Sequence, residues 1–122
     1  MPYEVAITYN VASGYWVLLR DFTYQDGNYK IAVPAGFLFD LASIPRFFWR
    51  ILAPFELSIA APLVHDYLYK NGGYVSSGNF SRSDADWIFL TIMRKEGVAA
   101  WRRWIAYFAV RLFGGRAFHA SY

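Results

Sequence analysis

A histidine beside an acid, set inside an otherwise apolar and aromatic stretch, is what most restricts the folds open to this chain. The stretch is Ala60-Ala61-Pro62-Leu63-Val64-His65-Asp66-Tyr67-Leu68-Tyr69-Lys70, and it holds one of two histidines in 122 residues. On a helix, His65 shares a face with Ala61, Leu68 and Tyr69, while Asp66 points to the edge of that face with Lys70 one turn on. Burying ionisable groups costs free energy unless they are paired or hydrogen-bonded. The fold must therefore bring a polar partner to His65.

Asp86 is the best candidate for that partner. Ser81-Arg82-Ser83-Asp84 opens a helix with the spacing of a capping box, and this helix runs to Glu96 before Gly97. On it Asp86 shares the core-facing side with Phe89, Leu90 and Met93, with Arg82 one turn before. A carboxylate on a core face needs a cation or a donor, and either Arg82 or His65 serves. Bonded to one ring nitrogen of His65, Asp86 fixes the tautomer and leaves the other nitrogen as a base or ligand. The alternative is that Asp86 only ties its helix to a neighbour. The two helices are joined by a loop of about ten residues and are expected to pack as an antiparallel hairpin.

The rest of the chain supplies an α+β fold: a small N-terminal antiparallel sheet followed by three to four helices, in one domain over residues 1–122. Strands are expected at Tyr3–Tyr9, Tyr15–Leu19, Phe22–Tyr24 and Tyr29–Val33, with Asp26-Gly27-Asn28 as a tight turn. Ser43 caps a short helix over Phe47–Leu52, with Pro45 in its first turn. The His65 helix starts near Ser58 or Pro62 and stops at Asn71-Gly72-Gly73, and Tyr74–Phe80 reads as a loop. The last helix spans about Val98 to Phe113 and ends at Gly114-Gly115.

Asp40, His65, Asp66 and Asp86 form an oxygen-and-imidazole set that suits a divalent cation: Zn if imidazole ligates, Ca or Mg if carboxylates dominate. Against this, Asp40 is equally suited to capping the turn before Ser43, and the chain has no dense ligand motif of the His-Glu-x-x-His kind. His119, in the tail, reads as a packing or solvated residue. Nothing resembles a nucleophile elbow, a phosphate-binding loop or a dinucleotide fingerprint.

Charge and aromatic content bound the partners. From Arg94 onward six Lys or Arg face a single Glu, whereas the first 93 residues carry six Lys or Arg against eight Asp or Glu. Aromatics make up 21% of the chain, more than a domain this small easily buries, so some of them are expected to face a partner, a lipid interface or a ligand. The last helix carries Trp101, Trp104, Ile105, Phe108 and Leu112 on one face, with Arg102 and Arg103 away from it and Arg111 at its edge. It is expected to pack Trp104, Ile105 and Phe108 inward to close the core and to bind anionic vesicles only weakly; the alternative is an interfacial helix with Trp against lipid and Arg near headgroups. Trp101, Trp104 and Arg111 are the interface candidates. Arginine and aromatics on different faces argue against nucleic acid. No apolar run reaches the roughly 18–20 residues of a membrane span, and Met1–Asn10 has no signal-peptide pattern. With no cysteine in the chain there is no disulfide or thiolate metal site.

An ordered set of motifs resembles the domain of unknown function 1353 family, small proteins of tailed phages, prophages and bacteria. The set is Val33-Pro34-Ala35-Gly36-Phe37, Asp40-Leu41-Ala42-Ser43-Ile44-Pro45-Arg46, His65-Asp66-Tyr67-Leu68-Tyr69, Arg82 with Asp86, Met93, and Val110-Arg111-Leu112-Phe113-Gly114. It runs from about Tyr29 to Gly115. The resemblance implies a phage or prophage setting, in the host cytoplasm or the virion, with other phage proteins or the cell envelope as partners.

The His-Asp-x-x-Tyr run followed by a helix with an inward Asp is also similar to the phospholipases A-two, including the domain carried on some viral capsids. That likeness implies His65 as general base for a water, Asp66 as a Ca ligand and Asp86 as the acid that orients His65, with Tyr69 beside the pair. The glycine-rich Ca loop and the cysteines of those enzymes have no counterpart here.

These readings lead to a hydrolase of a lipid, ester or cell-envelope bond, with His65 and Asp86 catalytic, Asp66 and Asp40 holding a cation, and Ser43, Arg46, Tyr69 and Arg82 in support. A second reading is a non-catalytic virion or assembly component whose motif residues form a hydrogen-bond network. A third is a protein that sequesters a small host ligand.

Overall fold

A computed structural model describes residues 4–12, 14–27, 29–39, 60–75 and 78–113. Strands β1 (Ile7–Asn10), β2 (Tyr15–Leu18), β3 (Phe22–Asp26), β4 (Tyr29–Val33) and β5 (Leu38–Phe39) precede helix α1 (Ala60–Lys70). A short pair, β6 (Tyr74–Val75) and β7 (Gly78–Asn79), leads to α2 (Arg82–Lys95) and α3 (Ala100–Phe113). This is the expected α+β order.

The strands form small antiparallel sheets, one of order β1-β2-β5 and one of β3 with β4. In the β3–β4 hairpin Phe22 lies opposite Val33 and Tyr24 opposite Ile31. All four are buried, while Thr23, Gln25, Lys30 and Ala32 between them are exposed. The alternation gives the hairpin one core face and fixes its register, because a slip of one residue would turn that face to water. The chain returns from β4 to lay β5 beside β2, pairing Phe39 with Trp16. The Asp21 carboxylate holds this return by accepting from the Ala35 amide at 2.7 Å.

Local signals set the helix ends. Ser81 Oγ accepts from the Asp84 amide at 3.0 Å and the Asp84 carboxylate accepts from the Ser81 amide at 3.1 Å, which is the expected capping box. Ser81→Ala is expected to cost about 1 kcal/mol, read by chemical denaturation. α1 ends where the Gly73 amide donates to the Leu68 carbonyl and Gly72 to that of Tyr69. α2 ends in the same way, with Val98 donating to Met93 and Gly97 to Arg94. Gly72 and Gly97 sit at φ +59° and +83°, a conformation that only glycine adopts readily, so each can occupy the turn-back position.

Two lysines tie sheet to helices. Lys70 on α1 donates to the Leu38 carbonyl in β5 at 2.9 Å. Lys95 on α2 reaches Asp26 at 3.0 Å and the Tyr24 hydroxyl at 3.1 Å.

Several expectations are corrected. Tyr74–Phe80 holds the small β6–β7 hairpin, whose two-residue strands are too short to show an alternation. The first strand begins at Ile7 and runs one residue past its expected end, to Asn10, and the last helix begins at Ala100. The face of α3 is the largest correction. Its buried residues are Ala106, Ala109 and Val110, while Trp104 and Phe108 are exposed and Ile105 is half-buried. Small residues let α3 approach α2 closely, and the core space is already filled by Leu63, Leu68, Phe89 and Met93. The short helix over Phe47–Leu52 and its cap Ser43 lie outside the described residues.

Candidate functional site

α1 and α2 pack against each other, and α2 against α3. The buried faces of α1 and α2 carry His65 and Asp86, which are 1% and 0% exposed. His65 Nε2 lies 2.7 Å from Asp86 Oδ1, so the expected contact is direct. The Tyr69 hydroxyl, one turn along from His65 on the same face, donates to the same Oδ1. Arg111 from α3 donates through Nη1 to Oδ2 at 2.8 Å. Both carboxylate oxygens are thus engaged, and each of the three helices contributes a side chain to the cluster.

Arg82 was the competitor expected for Asp86, and it does something else. Its Nη2 donates to the carbonyls of Val110 and Arg111 at 2.7 and 2.6 Å, near the C-terminus of α3, where a helix leaves its acceptors unpaired. Its Nε donates to the Tyr69 hydroxyl at 3.2 Å. Arg82 therefore fixes the end of α3, and that end delivers Arg111 to Asp86. Arg111, read from sequence as an interface residue, is a member of the cluster. Helix periodicity placed it beside an aromatic stripe assumed to face inward, so its contact with Asp86 gave no signal. An unpaired basic residue in the last turn of a helix following Asp86 was the available clue.

The electrostatics follow from this packing. Burial drives the His65 pKa below its ordinary 6.5, against an upward pull from the Asp86 hydrogen bond and charge, and the Arg82 charge adds to the lowering. Burial also pushes the Asp86 carboxyl up, but hydrogen bonds from His65, Tyr69 and Arg111 outweigh it and hold the group below its ordinary 3.8. Burial and the hydrogen bond to Asp86 raise the Tyr69 hydroxyl. At neutral pH the stable arrangement is a neutral imidazole donating from Nε2 to an ionised Asp86 that is balanced by Arg111. The lone pair then lies on Nδ1.

The unfolded chain binds a proton at His65 at its ordinary 6.5, whereas the folded chain does so only at lower pH. Between those values the unfolded state holds more protons, so lowering the pH destabilises the fold. Asp86 adds a second loss of the same sign, beginning below the ordinary carboxylate value. The expected result is a melting temperature that falls from about pH 7 to about pH 5 in the wild type and falls less in His65→Gln, measured by thermal denaturation.

The remaining candidates separate by position. Asp66 is 2% exposed and lies 3.6 Å from the Lys70 ammonium, one turn along α1. Asp40, Ser43 and Arg46 lie outside the described residues. Among the described residues no group of three acids or histidines is placed to hold a metal ion. Asp66, one of the two carboxylates expected on a cation, thus faces an ammonium group on its own helix. Trp101 and Trp104 are 58% and 39% exposed, away from the cluster. Phe89 was expected on the core face of α2, and it packs its ring 4.7 Å, centroid to centroid, from that of His65.

Comparison with known proteins gives a family and one relative. The family model described as "Protein of unknown function (DUF1353)" matches residues 16–110. The "Uncharacterized protein y4jT" of Sinorhizobium fredii is 35% identical over 100 residues, which cover 80% of this chain and 28% of that protein. The chain therefore spans little more than a quarter of the curated relative it matches. No solved structure matches.

Proposed function

The chain belongs to the DUF1353 family, and from that premise we propose that it is a hydrolase of a lipid, ester or cell-envelope bond in a phage, prophage or bacterial setting. One observation carries the reading: a buried imidazole whose Nε2 is held by an ionised carboxylate that two further donors keep charged. That arrangement sets the tautomer, orients the ring and stabilises the positive charge it acquires on accepting a proton.

In the reaction, His65 Nδ1 takes a proton from a water as the water oxygen bonds to the carbonyl carbon of an ester. The tetrahedral intermediate then expels the alkoxide, which leaves as the alcohol with the proton returned by His65. Asp86 acts through His65 as a positioning residue, and Tyr69 and Arg111 act through Asp86. No step is routed through a metal. If a cation is used, Asp66 and Asp40 are the carboxylates for it, and the ion would displace Lys70 from Asp66.

The 1% exposure of His65 supports a second reading, in which the same cluster is a structural lock in a non-catalytic virion or assembly component. Purified protein assayed with fluorogenic carboxylic esters and phospholipids separates the two. Turnover by the wild type that disappears in a folded His65→Gln supports the hydrolase. Absence of turnover across the panel, with and without calcium, rejects it and leaves the structural lock.

A further inference from the structure

Turning the small-residue side of α3 inward leaves an aromatic face outside, and that face is continuous across α2 and α3. Trp87 on α2 is 55% exposed, and on α3 Trp101, Phe108 and Leu112 are 58%, 56% and 75% exposed. The rings touch: Trp87 meets Trp104 with centroids 6.5 Å apart, and Trp104 meets Tyr107 at 5.6 Å and Phe108 at 6.0 Å. Large exposed apolar patches on a small protein mark a place where something docks.

Arginine is interleaved with these rings. Arg94 and Arg103 line a shallow cleft with Trp87 and Trp104. The Arg102 guanidinium lies 5.2 Å from the centroid of the Trp101 ring. From Arg94 onward the one acid is Glu96, which is 8% exposed and so offers little negative charge to an approaching surface. The separation of arginine from aromatics that sequence periodicity suggested does not hold once the helices are packed.

We propose that this face binds the surface of a bilayer bearing anionic phospholipid headgroups. Indole rings favour the headgroup level, where an apolar body and a polar N–H are both accommodated. Arginines at the same level meet phosphate, and Phe108 and Leu112 supply apolar area to enter the acyl boundary. A single-stranded nucleic acid would need ring faces laid open for stacking. Here Trp104, at the centre of the patch, meets Trp87 and Tyr107 edge to face, at 63° and 82°, and Leu112 offers no stacking surface. The proposal is independent of the chemistry assigned to His65.

The test is flotation of the full chain with phosphatidylglycerol–phosphatidylcholine vesicles and with pure phosphatidylcholine vesicles, with tryptophan emission recorded in parallel. The expected result is binding to the anionic vesicles with a blue shift, weakened by salt. Arg94→Gln with Arg102→Gln is expected to weaken binding on the order of 30-fold. Trp101→Ala with Phe108→Ala is expected to abolish the blue shift, with far-UV circular dichroism unchanged in both variants. His65→Gln is expected to bind as the wild type does, so loss of hydrolysis and loss of docking are separable. Failure to float with anionic vesicles overturns the proposal. So does a wild-type dimer that becomes monomeric in Trp101→Ala with Phe108→Ala without vesicle binding, or retention of a single-stranded oligonucleotide in preference to vesicles.

Discussion

Asp86→Ala is expected to destabilise the fold by about 3–5 kcal/mol, the range found when one partner of a buried ion pair is removed. The carboxylate is fully buried and is the shared acceptor of His65, Tyr69 and Arg111. Alanine leaves those donors facing an apolar gap, and each then bears its own desolvation cost. Domains are stable by only about 5–15 kcal/mol, so the variant loses a large fraction of its stability and is expected to be partly unfolded at growth temperature. Urea denaturation measures the loss directly. Asp86→Leu distinguishes loss of the acceptor from loss of volume: a cost as large as that of Ala shows that unpaired donors, not a cavity, set the penalty. A loss below about 1 kcal/mol in Asp86→Ala would mean that water reaches the cluster and the described burial is wrong.

The largest kinetic effect is expected at His65. Removing a general base typically costs 100- to 10,000-fold, so His65→Gln is expected to lower kcat by about that factor with KM little changed. Glutamine presents an amide N–H towards Asp86 but has no basic nitrogen, so its stability is expected to stay much closer to that of the wild type than Asp86→Ala does. The pH profile supplies an independent readout. The base must be neutral to accept a proton, and burial lowers the His65 pKa, so kcat/KM is expected to rise with pH through a value below 6.5 and then level off. A limb centred above 6.5, or an unchanged rate in His65→Gln, would remove His65 from the reaction.

How much of this was legible in the sequence depended on whether the signal was local. The capping box at Ser81, the glycines closing α1 and α2, and the alternation in β3–β4 are decided by neighbouring residues, and each was readable. The His65–Asp86 contact was readable one level up, because each residue marked the apolar face of its own helix and a short connection makes such helices pack together. The rotation of α3 was not readable. That helix is apolar on more than one side, so periodicity favoured the bulkier stripe. What settles its orientation is polar and long-range: Arg82 on the carbonyls of Val110 and Arg111, and Arg111 on Asp86. For the same reason Arg111 stood among the surface candidates, and the carbonyls of Val110 and Arg111 did not stand out as the acceptors of Arg82.

The three-helix sharing of one carboxylate also bears on the order in which the chain can fold. His65 and Asp86 are 21 residues apart, and Asp86 and Arg111 a further 25, so both closures span modest loops whose entropic cost is small. But the donors do not emerge from synthesis together. When α1 and α2 first meet, Asp86 has His65 and Tyr69 and no cation, and a carboxylate in that state resists leaving water. Arg111 belongs to the last helix. The tight interior of this protein therefore closes late, and a nascent chain that ends before α3 holds its first two helices only loosely together.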